Sequence, residues 1–149
     1  MQPRVVITHR IRHEIIEMLS HSFVVVPNMA TGALSGDELL RRSKDAQAIV
    51  VGTEHVIAKE FLDQCPKLKI IAATSNDSGR VDVHACTDHG VWFSVVKYPS
   101  AAPVVVELEA AANIIEALSG ERPECAVNLL RLRRRITREY QKSRRSHPC

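Results

Sequence analysis

One α/β domain with a five-stranded parallel sheet and an added C-terminal helix is the fold this sequence predicts. Three observations lead there. Five short apolar or β-branched runs alternate with helix-like stretches across residues 4–95, and strands that alternate with helices at this spacing pair in parallel through right-handed crossovers. From Val104 the pattern changes to an alanine-rich helical stretch. A chain of 149 residues closes one ordinary core and has no room for two sizeable domains. Together these predict a flavodoxin-like three-layer arrangement, with helices on both faces of the sheet.

Each element has its own justification. Arg4–Thr8 is a β-branched run suited to a buried strand, and His13–Leu19 then puts Ile15, Ile16 and Leu19 on one helical face. Phe23–Pro27 is a second strand, ended by a proline that cannot donate to the ladder. Ser35-Gly-Asp-Glu38 reads as a capping box, with Glu38 reaching back to the N-cap, and opens the helix of Leu39 and Leu40. Ala48–Val51 is the third strand, and Ala58–Cys65 is a helix stopped before Pro66. Leu68–Ala73 is the fourth. Val81–His89 is a short helix closed by Gly90 in a left-handed cap, ahead of the strand Val91–Val95. The last long helix runs from Val104 to Leu118, with Leu108, Ala111, Ile115 and Leu118 at helical spacing, and Ser119-Gly120 ends it. Leu129, Leu132, Ile136 and Tyr140 repeat that spacing inside a basic tail, 129–149, which reads as partly helical or disordered.

With 45% hydrophobic and 25% charged residues the chain matches ordinary globular proteins rather than fibrous or disordered ones. Its longest apolar runs fall far short of a bilayer span, so no membrane association is expected. The start is strand-like without a charged-then-apolar leader, which points to the cytoplasm. Cys65, Cys86, Cys125 and Cys149 include no C-x-x-C pair, so reduced thiols are expected rather than a zinc or redox motif. The charge is uneven. Residues 131–149 hold seven Arg and one Lys against one Glu, a net +7, which leaves −4 on residues 1–130 out of the overall +3.

A nucleotide-type fold here lacks a nucleotide-type loop. Gly32, Gly36, Gly52, Gly79, Gly90 and Gly120 stand too far apart for G-x-G-x-x-G or G-x-x-x-x-G-K. Ligands of an open parallel sheet sit beyond the C-terminal strand ends, which directs attention to residues 8–12, 52–55, 74–80 and 97–100. The stretch Thr74–Arg80 reads first as a solvated loop of turn-forming residues; it also offers hydroxyls, an amide, a carboxylate and the Arg80 guanidinium to a small anion. His9, Arg10 and His55 also follow strands, where a histidine without a visible carboxylate partner is read as a surface residue. Asp82, His84, Cys86, Asp88 and His89 crowd together, but no second ligand pair at zinc spacing completes a metal site. Ser75 lacks the G-x-S-x-G elbow, so hydrolase chemistry is unsupported. The tail segment Arg131–Arg138 could contact polyanions, although no base-reading motif accompanies it and specific nucleic-acid recognition is not expected.

The stretches Val5–Arg10, Glu38–Arg42 with Asp45–Ala48, Phe61–Leu68, and Val81–Cys86 leading to Gly90–Phe93 resemble the D-isomer-specific 2-hydroxyacid dehydrogenases, most of all their phosphite (phosphonate) dehydrogenase branch. The resemblance covers roughly residues 4–96. Glu107–Pro123 with Ala126–Asn128 is similar to the family's extreme C-terminal helix and the turn after it. Family members build a substrate-binding domain from the two chain ends, with the NAD domain inserted between them. The resemblance thus implies a substrate-binding-type domain over 1–128, in which residues 1–96 join helix 104–119 directly and the NAD domain is absent.

The same resemblance implies which chemistry is missing. The family's cofactor loop and its catalytic Arg, Glu and His belong to the inserted domain, so no catalytic or cofactor-binding residue carries over, no cofactor is expected on this chain alone, and hydride transfer by it is not expected. Thr53, Glu54, Ser75, Asn76, Asp77 and Arg80 are the substrate-cleft candidates. Asn76-Asp77 replaces the Lys-Gly pair of phosphite dehydrogenases and Thr53-Glu54 a Met-Pro pair, so an anion-binding cation is exchanged for an amide and a carboxylate. The partners implied are a small oxyanion, a second copy of the chain, or a full-length dehydrogenase that covers surface left by the missing domain. A dimerisation or regulatory module and weak polyanion binding through the tail are the alternatives.

Overall fold

The computed structural model describes residues 2–130. The tail reading, including the helix through Leu132, Ile136 and Tyr140, the Arg131–Arg138 polyanion contact and the thiol of Cys149, lies outside the described residues.

Ten elements follow in the order β1 (Arg4–Ile7), α1 (His13–Ser20), β2 (Val24–Val26), α2 (Gly36–Ser43), β3 (Ala48–Val51), α3 (Lys59–Asp63), β4 (Ile70–Ala73), α4 (Val83–Asp88), β5 (Trp92–Ser94) and α5 (Pro103–Leu118). All strand pairings are parallel, and the order across the sheet is β2-β1-β3-β4-β5. The expected flavodoxin-like three-layer fold is what forms, and its order reverses direction between β1 and β3. Side chains alternate with period two. Val5, Ile7, Ala48, Val50, Ile70, Ala72 and Trp92 face one core with α1 and α5, while Val6, Ile49, Val51, Ile71, Ala73 and Phe93 face a second core with residues of α2, α3 and α4.

Local signals end the short helices. Ser35 accepts from the Glu38 N–H at 3.2 Å, but only half of the expected capping box exists. The Glu38 carboxylate turns away to accept from Arg41 Nε at 3.0 Å and Arg42 Nε at 2.7 Å, because charge-assisted bonds outcompete a neutral backbone donor. Those bonds, Arg41 first, hold its carboxyl down to about 2. Asp82 caps α4 by accepting from the Ala85 N–H at 3.0 Å, and Gly90 closes that helix at φ +70°.

The face of α5 is not the one its large residues suggest. Val106, Ala110, Ala111, Asn113, Ile114 and Ala117 are buried, whereas Leu108 and Ile115 are 42% and 40% exposed. Small residues face the sheet because Ala48 and Ala72 lie beneath them in the same core. Such small-on-small contact lets the helix sit low, with Ile114 filling the space left in that core.

Beyond α5 the chain returns to the β5 edge. Val127 N–H donates to Phe93 O at 2.7 Å, and Ser94 and Ala126 form an antiparallel bridge. Buried Asn128 accepts from the Phe93 N–H at 2.8 Å and donates to Val91 O at 2.8 Å and Thr87 Oγ1 at 3.1 Å. This strap supplies ladder partners at an edge that otherwise has none.

Candidate functional site

The strand order reverses between β1 and β3, and the candidate cleft is the space beyond their C-terminal ends, beside the end of β4. His9 follows β1 there. Its Nδ1 lies 3.2 Å from Thr8 Oγ1 and its Nε2 3.4 Å from Thr74 Oγ1. Thr74 Oγ1 is also 3.4 Å from Val51 O, an acceptor only, so the Thr74 hydroxyl donates there and can accept from His9. The imidazole is then protonated on Nε2 and accepts from Thr8 through Nδ1. Burial pushes the His9 pKa down, against the raising influence of the Glu54 and Glu107 carboxylates and with a smaller lowering influence from His55. The result is an imidazole held between two hydroxyls, its charged form disfavoured by burial.

Thr8 and Glu107 were not singled out as site residues from the sequence. Thr8 carries a weak signal, as a hydroxyl at a strand end directly before a histidine. Glu107 carries none. It comes from α5, ninety-five positions after Arg12, whose N–H it accepts at 2.7 Å, and its carboxylate also meets the Arg12 guanidinium at 3.8 Å.

The six cleft candidates fall into two groups. Thr53 and the 74–80 loop abut: a side chain at Gly79 would come within 3.3 Å of Thr53 Cα, and Gly79 itself sits at φ +52°. Asp77 serves its own loop, accepting from the Gly79 N–H at 2.7 Å, and Ser75 Oγ donates to Asp77 O at 3.3 Å. Asn76 and Arg80 are exposed. The Arg80 backbone is pinned, its carbonyl accepting from the Ile57 N–H at 3.1 Å beside the Ile57–Val81 bridge. Its guanidinium has no carboxylate partner among the described residues. Glu54 stands apart. It folds back over Gly52, where a Cβ would meet its Oε2 at 2.7 Å, and lines a separate cavity of about 280 Å³ with Leu34, Leu39, His55, Val56 and Phe61.

His55 departs from the surface reading of the loop histidines. It is 6% exposed, its Nε2 donates to Leu34 O at 2.7 Å, and its Nδ1 is buried without a hydrogen-bond partner among the described residues. It fastens the segment before α2 to the loop after β3, a pairing across 21 positions that no local pattern announces.

The cluster on α4 is distributed among other duties. Asp82 is the N-cap, His84 meets Asp88 at 3.5 Å, and His89 bonds Asp63 at 2.7 Å and Ala85 O at 2.8 Å. Cys86 is buried, which pushes its thiol up to about 12, and Cys65 is raised to about 11 for the same reason. Among the described residues no group of three or more His, Cys, Asp or Glu side chains is placed to hold a metal ion. None of their helices is long and apolar enough to cross a membrane.

Residues 5–128 match the family described as D-isomer specific 2-hydroxyacid dehydrogenase, catalytic domain. The chain belongs to that family. Among curated relatives it is 30% identical over 121 residues to a D-3-phosphoglycerate dehydrogenase of Methanocaldococcus jannaschii, covering 76% of this chain and 22% of that protein. It is 31% identical over 94 residues to a glyoxylate reductase of Thermococcus onnurineus, covering 63% and 28% respectively. The chain thus spans less than a third of either relative. The solved structure of the PH0520 protein from Pyrococcus horikoshii superimposes on 99% of the chain and 38% of its own, with a TM-score of 0.58 at 21% identity, a likeness of fold. The dehydrogenase family and the observed fold agree. The match ends at residue 128, the position of the asparagine that anchors the β5 strap.

Proposed function

We propose that residues 1–128 are a stand-alone substrate-binding-type unit of a 2-hydroxyacid dehydrogenase, inactive by itself in hydride transfer, with 129–149 as a basic tail. The observation that carries the reading is the short closure of the fold. β5 ends at Ser94, α5 begins at Pro103, and α5 packs directly onto the sheet. Eight residues link two segments that in the resembled family flank a whole NAD domain. The unit is therefore read as lacking that domain and its hydride acceptor, with no cofactor of its own. Within the family this reading places the N-terminal segment beside the phosphite branch that its sequence resembles, and a cytoplasmic setting accords with the buried, unbridged thiols of Cys65 and Cys86.

The ligand this reading assigns is a small oxyanion at the cleft rim, held by Arg80 with Thr53, Ser75 and Asn76. The carboxylates of Glu54 and Asp77 limit its affinity. Asp77 accepts from the Gly79 N–H and Glu54 lines a separate cavity, so neither carboxylate pairs with the exposed Arg80 guanidinium, which is left to an anion. A thermal-shift screen with phosphite, glyoxylate, glycolate and NAD tests this, since a ligand that prefers the native state raises Tm. An oxyanion-dependent rise that Arg80→Ala removes is the expected result. Rapid NAD reduction by the purified chain on any of these substrates would falsify the reading of inactivity.

One further reading has an observation in its favour. Val104, Val105, Leu108 and Ile115 form an exposed apolar stripe on α5, and such a surface suits association with a second copy or with a full-length dehydrogenase. Light scattering across a concentration series distinguishes it, because a chain that stays monomeric and captures no dehydrogenase lacks that role.

A further inference from the structure

The α5 stripe is unusual in its surroundings. Val104, Val105, Leu108 and Ile115 are 37%, 40%, 42% and 40% exposed, on the side opposite the buried Ala110, Ile114 and Ala117. The layer that carries the stripe is strongly acidic. His13–Ser20 and residues 103–124 hold seven Glu against Arg122 alone, more than the whole −4 of residues 1–130. Glu107 and Glu124 also meet Arg12 and Lys97 from outside those two stretches. An apolar stripe bordered by acid is the complement of a basic amphipathic helix.

Such a segment is tethered at the edge of this face. Leu130, the last of the described residues, packs against the same core as Ile16 and Leu118. The nineteen residues after it carry +7, and Leu132, Ile136 and Tyr140 recur at spacings of four among Arg131, Arg133–Arg135 and Arg138. In helical form Leu132 to Tyr140 spans about 12 Å, close to the roughly 10 Å from Leu108 to Ile115. A tether this short raises the effective concentration of the segment to about the millimolar range.

We propose that the basic segment Arg131–Tyr140 lies along α5 of its own chain, its Leu132, Ile136 and Tyr140 on Leu108 and Ile115 and its arginines toward the glutamates of the α1–α5 layer. The inference shares the α5 face with the association reading and is independent of the cleft. Occupied in this way, the face is closed to a second copy until the tail is drawn off.

The test uses the full chain with Gln141→Cys and Cys149→Ser, carrying a nitroxide at position 141; Cys65, Cys86 and Cys125 are buried and escape labelling. Running back from Leu118, the tail brings position 141 near Leu108. The expected result is loss of most of the Leu108 methyl intensity, a weaker loss at Ile115, and recovery of both in Ile136→Asp. The effect should also weaken at about 1 M salt, where screening shortens to about 3 Å. No broadening on α5, or broadening unchanged by Ile136→Asp, overturns the proposal. A mixture of nitroxide-bearing chains with isotopically labelled, nitroxide-free chains reports contacts between molecules only. Equal broadening there overturns the placement within one chain and assigns the face to a second copy, which separates failure here from failure of the association reading.

Discussion

The two helical layers of this domain are held by different physics. The layer of α2, α3 and α4 consists of helices of eight, five and six residues, too short to be stable alone. They are secured largely by local devices: the Ser35 and Asp82 caps, the Glu38 bonds to Arg41 and Arg42, and the Lys59 bond to Asp63. The His89 bond to Asp63 adds a tie across 26 positions. The layer of α1 and α5 has no side-chain N-cap on either helix. It is held by close contact of alanines with the sheet and by the strap that Asn128 fastens. Local devices are written in neighbouring residues, whereas close packing depends on residues far apart in the chain.

This contrast can be broken or sharpened by mutation, from large effects to small. Ile114 is fully buried, and Ile114→Ala should cost about 2–5 kcal/mol in a urea titration. Leu62→Ala, in the opposite layer, should cost less, because a five-residue helix can settle into the space; equal costs would erase the distinction. Asn128→Ala strands the buried Phe93 N–H and should lose about 1–3 kcal/mol, with faster amide exchange along β5. Asp82→Ala removes one cap and should cost about 1 kcal/mol, with fraying confined to α4 in amide exchange.

The smallest effects are in the pH dependence, and they have opposite signs. Burial depresses His9 below its ordinary 6.5, so its contribution is complete above that value and is lost as pH falls through the depressed folded pKa. The bond to Asp63, and then the one to Ala85 O, raise His89 above 6.5, so its contribution is complete below 6.5 and is lost as pH rises through the folded pKa. Urea midpoints of His9→Gln and His89→Gln against the parent chain, from pH 5 to 8 in steps of about one unit, should therefore diverge from it at opposite ends. Parallel curves would remove the environments assigned to both.

Much of the fold is legible in local pattern. The five strands and five helices lie where apolar runs, caps, Pro66 and Gly90 put them, because these signals act over a few residues. The inner face of α5 is not legible in that way. Leu108 and Ile115 look like core by periodicity, but the face that meets the sheet is that of Ala110, Ala111, Ile114 and Ala117, and that is known only once the helix is placed. The candidate cleft is legible as a set of loops after strands. Its membership is less so: Thr53 meets Gly79 and Glu54 turns to another cavity, according to how loops from β3 and β4 settle together.

By itself the sequence determined the α/β class, the parallel sheet, the capped short helices and the charge contrast between body and tail. Hydrophobic period, turn chemistry and net charge belong to neighbouring residues and need no fold to be expressed. Only the tertiary structure decided the burial of His55, the placing of His9 between Thr8 and Thr74, the pairing of Glu107 with Arg12 and the outward stripe on α5. Each depends on groups brought together across the sheet, where burial and long-range hydrogen bonds override local preference.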